Sequence, residues 1–163
     1  MRLVVVNGVP VDPKTLIPLK VDLSKLSLTK VKFHEDMSEE TPCFSGVLLE
    51  DGVKVANVSN RGHGGCNDYD TYGINTDINP HERYGGIDAD CHIMGLAEDY
   101  NMATLYQSNA LVLKKGDNVS TVKWKGNPSI NKMKRLVHDY PTWIKNQVRQ
   151  YEAQGYTILN RNL

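Results

Sequence analysis

The sequence predicts an α+β fold, an antiparallel sheet built from hairpins with C-terminal helices packed on one face. Three observations predict it. Asp51-Gly52 sits between two alternating apolar runs, Lys115-Gly116-Asp117-Asn118 repeats the hairpin signal further on, and the last third carries apolar residues at helical spacing. With 163 residues, 40% of them hydrophobic, the chain has the size to bury one core, so a single α+β domain over 1–163 is expected.

Met1 to Val6 is a β-branched run ended by Asn7-Gly8, and the two prolines of Val9-Pro10-Val11-Asp12-Pro13 bar a helix there. Leu19 to Leu28 alternates loosely. Leu28 to Phe33 alternates more clearly and reads as a strand, followed by a polar, acidic loop from His34 to Thr41. Asp51-Gly52 is the dipeptide a two-residue type I′ turn favours, because both central residues take positive φ. That turn places Leu49 opposite Lys54, Leu48 opposite Val55 and Val47 opposite Ala56, so Phe44, Leu48 and Val55 share a face. The second strand is expected to end near Ser59-Asn60.

The stretch of about 61–92 is poor in aliphatic residues and rich in Gly, Asn, Asp and Tyr, and reads as irregular. A segment of that length without regular structure is unusual inside a domain and tends to carry function. Apolar residues at 93, 97, 100 and 105 predict a short helix over Ile93 to Gln107. Leu111 to Leu113 and Val119 to Trp124 flank the second hairpin signal. Asn127-Pro128 reads as an N-cap with proline at the first helical position, and Pro141 ends that helix and opens another. In the latter, Ile144, Val148 and Tyr151 form one apolar stripe, Gly155 closes it, and Tyr156 to Leu159 returns as a strand.

No apolar run approaches the roughly 18–20 residues of a membrane span, and the chain opens without the pattern of a signal peptide. Cys43, Cys66 and Cys91 are an odd number with no close pair, which fits a reducing, cytoplasmic setting. Net charge is zero but polarised. From Lys114 onward ten Lys or Arg stand against three acids, and before it nine stand against sixteen, so the ends carry +7 and −7. Such a chain offers a basic face to nucleic acid or an acidic protein and an acidic face to a basic partner; the plainer reading is two solvated surfaces.

The richest candidate site is Asn60-Arg61-Gly62-His63-Gly64-Gly65-Cys66-Asn67. Its glycines allow close backbone approach and a nest of N–H groups for an anion, with Arg61 as a fork for phosphate or carboxylate. No Gly-Lys-Ser/Thr follows, so it is not a P-loop. The plainer alternative is a tight turn packed on its own sheet, with Asn60 and His63 capping backbone groups. His63-x2-Cys66 and Cys91-His92 supply the residue types of a zinc site at poor spacing. His63, Asp88, Asp90 and His92, with His81 nearby, form another candidate set for a divalent metal, since Asp88-x-Asp90-x-His92 would line one strand face. Cys66 with His63 or His92 is a candidate thiolate pair, and no Gly-x-Ser-x-Gly elbow exists. Finally, Lys123, Trp124, Lys125, Lys132, Lys134 and Arg135 interleave base with an aromatic ring suited to stacking, a candidate basic patch for nucleic acid.

The run Met37-Ser38-Glu39-Glu40-Thr41-Pro42-Cys43-Phe44-Ser45, then Asp51-Gly52 and Val58-Ser59-Asn60-Arg61-Gly62-His63-Gly64-Gly65-Cys66-Asn67, resembles a set of small uncharacterised proteins of bacteriophages, prophages and mobile elements. From Asp68 onward the chain departs from that pattern. The resemblance implies a genomic setting and no catalytic residue. The function expected is that of a phage-type accessory protein acting by stoichiometric binding in the host cytoplasm. It would inhibit a host defence complex or sequester a small nucleotide ligand, with no cofactor. The alternatives are a metal-dependent hydrolase or nuclease, and nucleic-acid binding through the basic C-terminal third.

Overall fold

In a computed structural model, which describes residues 4–6, 9–11 and 21–163, the Asp51-Gly52 turn closes the hairpin that organises the larger sheet. Asp51 and Gly52 have φ of 51° and 78°, as a type I′ turn requires. The turn joins β4 (Cys43–Glu50) to β5 (Val53–Arg61) and pairs Leu49 with Lys54, as expected. One step further the register shifts: Leu48 faces Ala56 and Val47 faces Asn57. This corrects the expected Leu48–Val55 and Val47–Ala56 pairs. An extra residue in β5 makes a bulge there, and it lets both Val55 and Ala56 enter the core. The shift also carries β5 on to Arg61, which pairs with Cys43.

The chain divides into two compact units, Met1–Glu98 and Asp99–Leu163. In the first, β1 (Val4–Val6) and β2 (Val9–Val11) pair as a small hairpin. The rest of the segments read as Met1 to Val6, Val9 to Pro13 and Leu19 to Leu28 lies partly outside the described residues. A four-stranded antiparallel sheet follows in the order β3 (Leu26–Phe33), β4, β5, β6 (Asp68–Asp70). Its core gathers Leu26, Phe44, Leu48, Val58, Tyr84 and Ile93.

Part of the stretch expected to be irregular is ordered. It contains β6, the short helix α1 (Pro80–Tyr84) and the first turns of α2 (Ile87–Tyr106), leaving 62–67, 71–79 and 85–86 without strand or helix. Asn79 caps α1 by accepting from the Glu82 amide at 3.4 Å. The helix expected from Ile93 begins six residues earlier, with Asp88 and Asp90 in its first turn, where acids complement the positive helix end. Ala89, Ile93 and Ala97, four residues apart, are its buried stripe in the first unit.

The second unit, which α2 enters at Asp99, holds a three-stranded antiparallel sheet in the order β8 (Asn118–Val122), β7 (Leu111–Lys115), β9 (Thr157–Ile158). Lys115 pairs with Asn118 across Gly116-Asp117, the second hairpin. Leu111 and Leu113 share a core with Ile130 and Met133 of α3 (Ile130–Leu136) and with Tyr140 and Ile144 of α4 (Tyr140–Glu152). The cap of α3 is Ser129, whose hydroxyl accepts from the Lys132 amide at 3.1 Å. That corrects the expected Asn127 cap: Asn127 sits at φ 51° in a turn closed by its N–H donating to Trp124 O at 2.9 Å, and the helix begins only at Ile130. Pro141 opens α4 as expected. Gly155, at φ 90°, ends it in a Schellman turn, with Tyr156 N–H donating to Tyr151 O and Gly155 N–H to Glu152 O. The rings of Tyr151 and Tyr156 meet edge to face across that turn. Among the described residues no helix is long and apolar enough to cross a membrane.

Candidate functional site

Asn60, the penultimate residue of β5, is 4% exposed, and its side-chain amide is the hub of the glycine-rich loop. Its carbonyl accepts from Thr41 Oγ1 at 2.6 Å and from the Gly62 amide at 2.9 Å. Its NH2 donates to Asn67 Oδ1 at 3.1 Å, with longer contacts to the Gly65 and Cys66 carbonyls. One buried amide therefore holds both ends of the loop.

The loop also grips the acidic segment that precedes β4. Gly62 O accepts from the amides of Glu39, Glu40 and Thr41, and the Gly64 amide donates to Thr41 Oγ1 at 3.2 Å. Contact with backbone requires glycine at Gly62, and at Gly64 the positive φ favours it. A Cβ on Gly62 would stand 2.3 Å from Met37 O, and one on Gly64 would stand 2.6 Å from a Glu40 carboxylate oxygen, both at φ near 85–88°. The Gly62 and Gly64 amides are thus spent inside the loop, and a carboxylate lies against the second. That is poor chemistry for an anion nest.

What the loop presents to solvent is different. Arg61, His63, Gly65 and Cys66 are exposed beside Met37, Glu39 and Glu40, and His63 Nδ1 lies 3.2 Å from Glu39 Oε2. Sequence reading missed Met37, Glu39, Glu40 and Thr41 as members of this face. The signal was the hairpin register, because pairing Cys43 with Arg61 necessarily lays the residues before Cys43 alongside those after Arg61.

The far end of the loop is rooted in α2. Asn67, 3% exposed, donates to the Asp90 carbonyl at 3.2 Å and approaches Tyr69 Oη at 3.4 Å. Tyr69 Oη in turn lies 2.6 Å from Asp90 Oδ1. Burial pushes the Tyr69 pKa up, and the hydrogen bond to Asp90 adds to the effect. Burial likewise raises Tyr84, whose hydroxyl donates to Glu50 Oε1 at 3.0 Å. Because both folded values lie above the ordinary 10.0, the two tyrosines contribute full stability below about pH 10 and lose it as pH rises further. Urea unfolding at pH values above 10 is expected to show stability falling by up to about 1.4 kcal/mol per pH unit for each tyrosine, and Tyr84→Phe should remove one share of that slope.

The other sequence candidates are dispersed. Asp88, Asp90 and His92 lie on α2, which corrects the expected strand face: residues two apart on a helix point about 200° away from each other. Asp90 is buried and engaged by Tyr69, while Asp88 is exposed and His92 half-buried. His81 is an exposed residue of α1 whose ring meets Tyr69 edge-on at 5.7 Å. Among the described residues no three His, Cys, Asp or Glu side chains group as metal ligands would. Cys43 is buried, Cys66 and Cys91 are exposed, and all three are free thiols. In the second unit Lys123, Lys125, Lys132, Lys134 and Arg135 are exposed, but Trp124 is half-buried with its ring 5.5 Å from Trp143 in the core. By unit, nine Lys or Arg against fifteen acids give −6 in the first, and ten against four give +6 in the second.

Comparison with family models, curated proteins and solved structures yields no match.

Proposed function

We propose that this protein acts by stoichiometric binding to a partner protein, through the face made by 37–41 and Arg61–Cys66. One observation carries the reading: the buried Asn60 amide holds the loop rigid from beneath while Arg61, His63 and Cys66 stay in solvent. A surface ordered before its partner arrives loses little conformational entropy on binding. A protein partner suits this face better than a nucleotide, since the Gly62 and Gly64 amides are occupied and Glu39 and Glu40 flank the exposed rim. The exposed Met37 offers an apolar contact, and the −6 charge of the first unit favours a basic complement. The resemblance of 37–67 to phage and mobile-element proteins supplies the setting, in which the partner is a host defence complex held inactive by occlusion.

Arg61→Ala combined with His63→Ala removes two exposed side chains and is expected to change stability by less than about 0.5 kcal/mol. As immobilised baits in a bacterial lysate read by mass spectrometry, the wild type and a Lys125→Ala control should retain the same partner in a fixed ratio, and the double variant should lose it. Retention of the same proteins by all three baits would exclude this face.

A further inference from the structure

We propose that the second unit binds an aliphatic carboxylate in a groove along α4, its chain against the apolar wall and its head group between Lys134 and Lys145. The groove has a volume of about 580 Å³, within the range of sites that take small organic molecules. Pro141, Ile144 and Val148, three to four residues apart on one face of α4, form the wall together with Leu163. Lys134, from α3, and Lys145 are the charged side chains lining it. Both ammonium groups are exposed, and neither forms an ion pair among the described residues.

Tyr140 completes the lining, and a second observation points the same way. It is 6% exposed, and its hydroxyl is the one buried side-chain polar atom among the described residues without a hydrogen-bond partner. Such groups are normally satisfied. Burial pushes the Tyr140 pKa up, so in neutral solution the hydroxyl is a donor awaiting an acceptor. A hydrocarbon alone would cover the wall and leave two lysines and this donor unanswered. An amphiphile with a single anionic acceptor answers all three. This site is separate from the Asn60 loop in residues and in ligand.

Dodecanoate, titrated below its micelle concentration, is the probe, and tryptophan fluorescence is the readout, since the Trp143 ring lies 6.0 Å from that of Tyr140. Saturable one-to-one binding is expected, about tenfold tighter than for 1-dodecanol. The Lys134→Gln/Lys145→Gln variant should weaken dodecanoate about tenfold and leave dodecanol unchanged. Tyr140→Phe should weaken dodecanoate about threefold. Arg61→Ala/His63→Ala should bind dodecanoate as the wild type does. Equal affinity for the acid and the alcohol, absence of saturation, or indifference of the lysine variant to head group would overturn the proposal.

Discussion

Replacing Asn60 by alanine is expected to destabilise the protein by about 2–4 kcal/mol, more than any change to the loop's exposed side chains. The substitution removes the acceptor for Thr41 Oγ1 and the Gly62 amide and the donor to Asn67, all in or beside a buried site. Each group left unpaired there costs about 1–3 kcal/mol, so the loss exceeds that of an ordinary side-chain hydrogen bond. Asn60→Asp separates the two halves of the hub: it keeps an oxygen toward Thr41 and Gly62 but sets a second oxygen against Asn67 Oδ1 and two carbonyls. It should be at least as damaging as alanine. Urea unfolding measures both, and a cost below about 0.5 kcal/mol for Asn60→Ala would mean that the loop is held by something else.

The second large effect lies at the hairpin tip. Arg83 of α1 grips Glu50 with two hydrogen bonds, Nε to Oε1 at 3.0 Å and Nη2 to Oε2 at 2.8 Å, and both side chains are almost wholly buried, 7% and 14% exposed. Tyr84 donates to the same carboxylate. A bidentate pair in this setting tolerates the loss of both partners better than the loss of one, because a lone buried charge keeps its desolvation cost without its attraction. Arg83→Met should therefore cost about 3–5 kcal/mol, and Arg83→Met combined with Glu50→Leu should recover much of it. Chemical denaturation of the single and double variants gives the coupling. Additive losses would show that the pair acts as two separate surface charges.

The fold was legible where local chemistry dominates. Asp51-Gly52, Gly116-Asp117, Pro141 and Gly155 each impose a backbone conformation that few residues adopt, and each sits where the sequence reading placed it. What failed was everything set by contacts distant in sequence. The Val55 bulge has no signature, since an extra valine in an alternating strand looks like any other valine until its partner strand is known. The early start of α2 was hidden because its buried stripe is mostly alanine, too small to read as a core face, and because two aspartates that favour a helix start were read as metal ligands. The candidate loop was legible in composition and not in wiring. Gly62 is required for close approach, but the approaching atom is Met37 O, belonging to the loop's own neighbour in the fold.

Amide hydrogen exchange of Gly62 and Gly64 tests this account most directly, because both N–H groups have fixed acceptors, Asn60 Oδ1 at the root of the loop and Thr41 Oγ1 in the segment beside it. Slow exchange of both amides in the wild type, made fast by Asn60→Ala while the amides of Leu48 and Val58 in the sheet core stay protected, is the predicted result. Exchange of Gly62 and Gly64 in the wild type as fast as in an unstructured peptide would contradict a loop held rigid from Asn60.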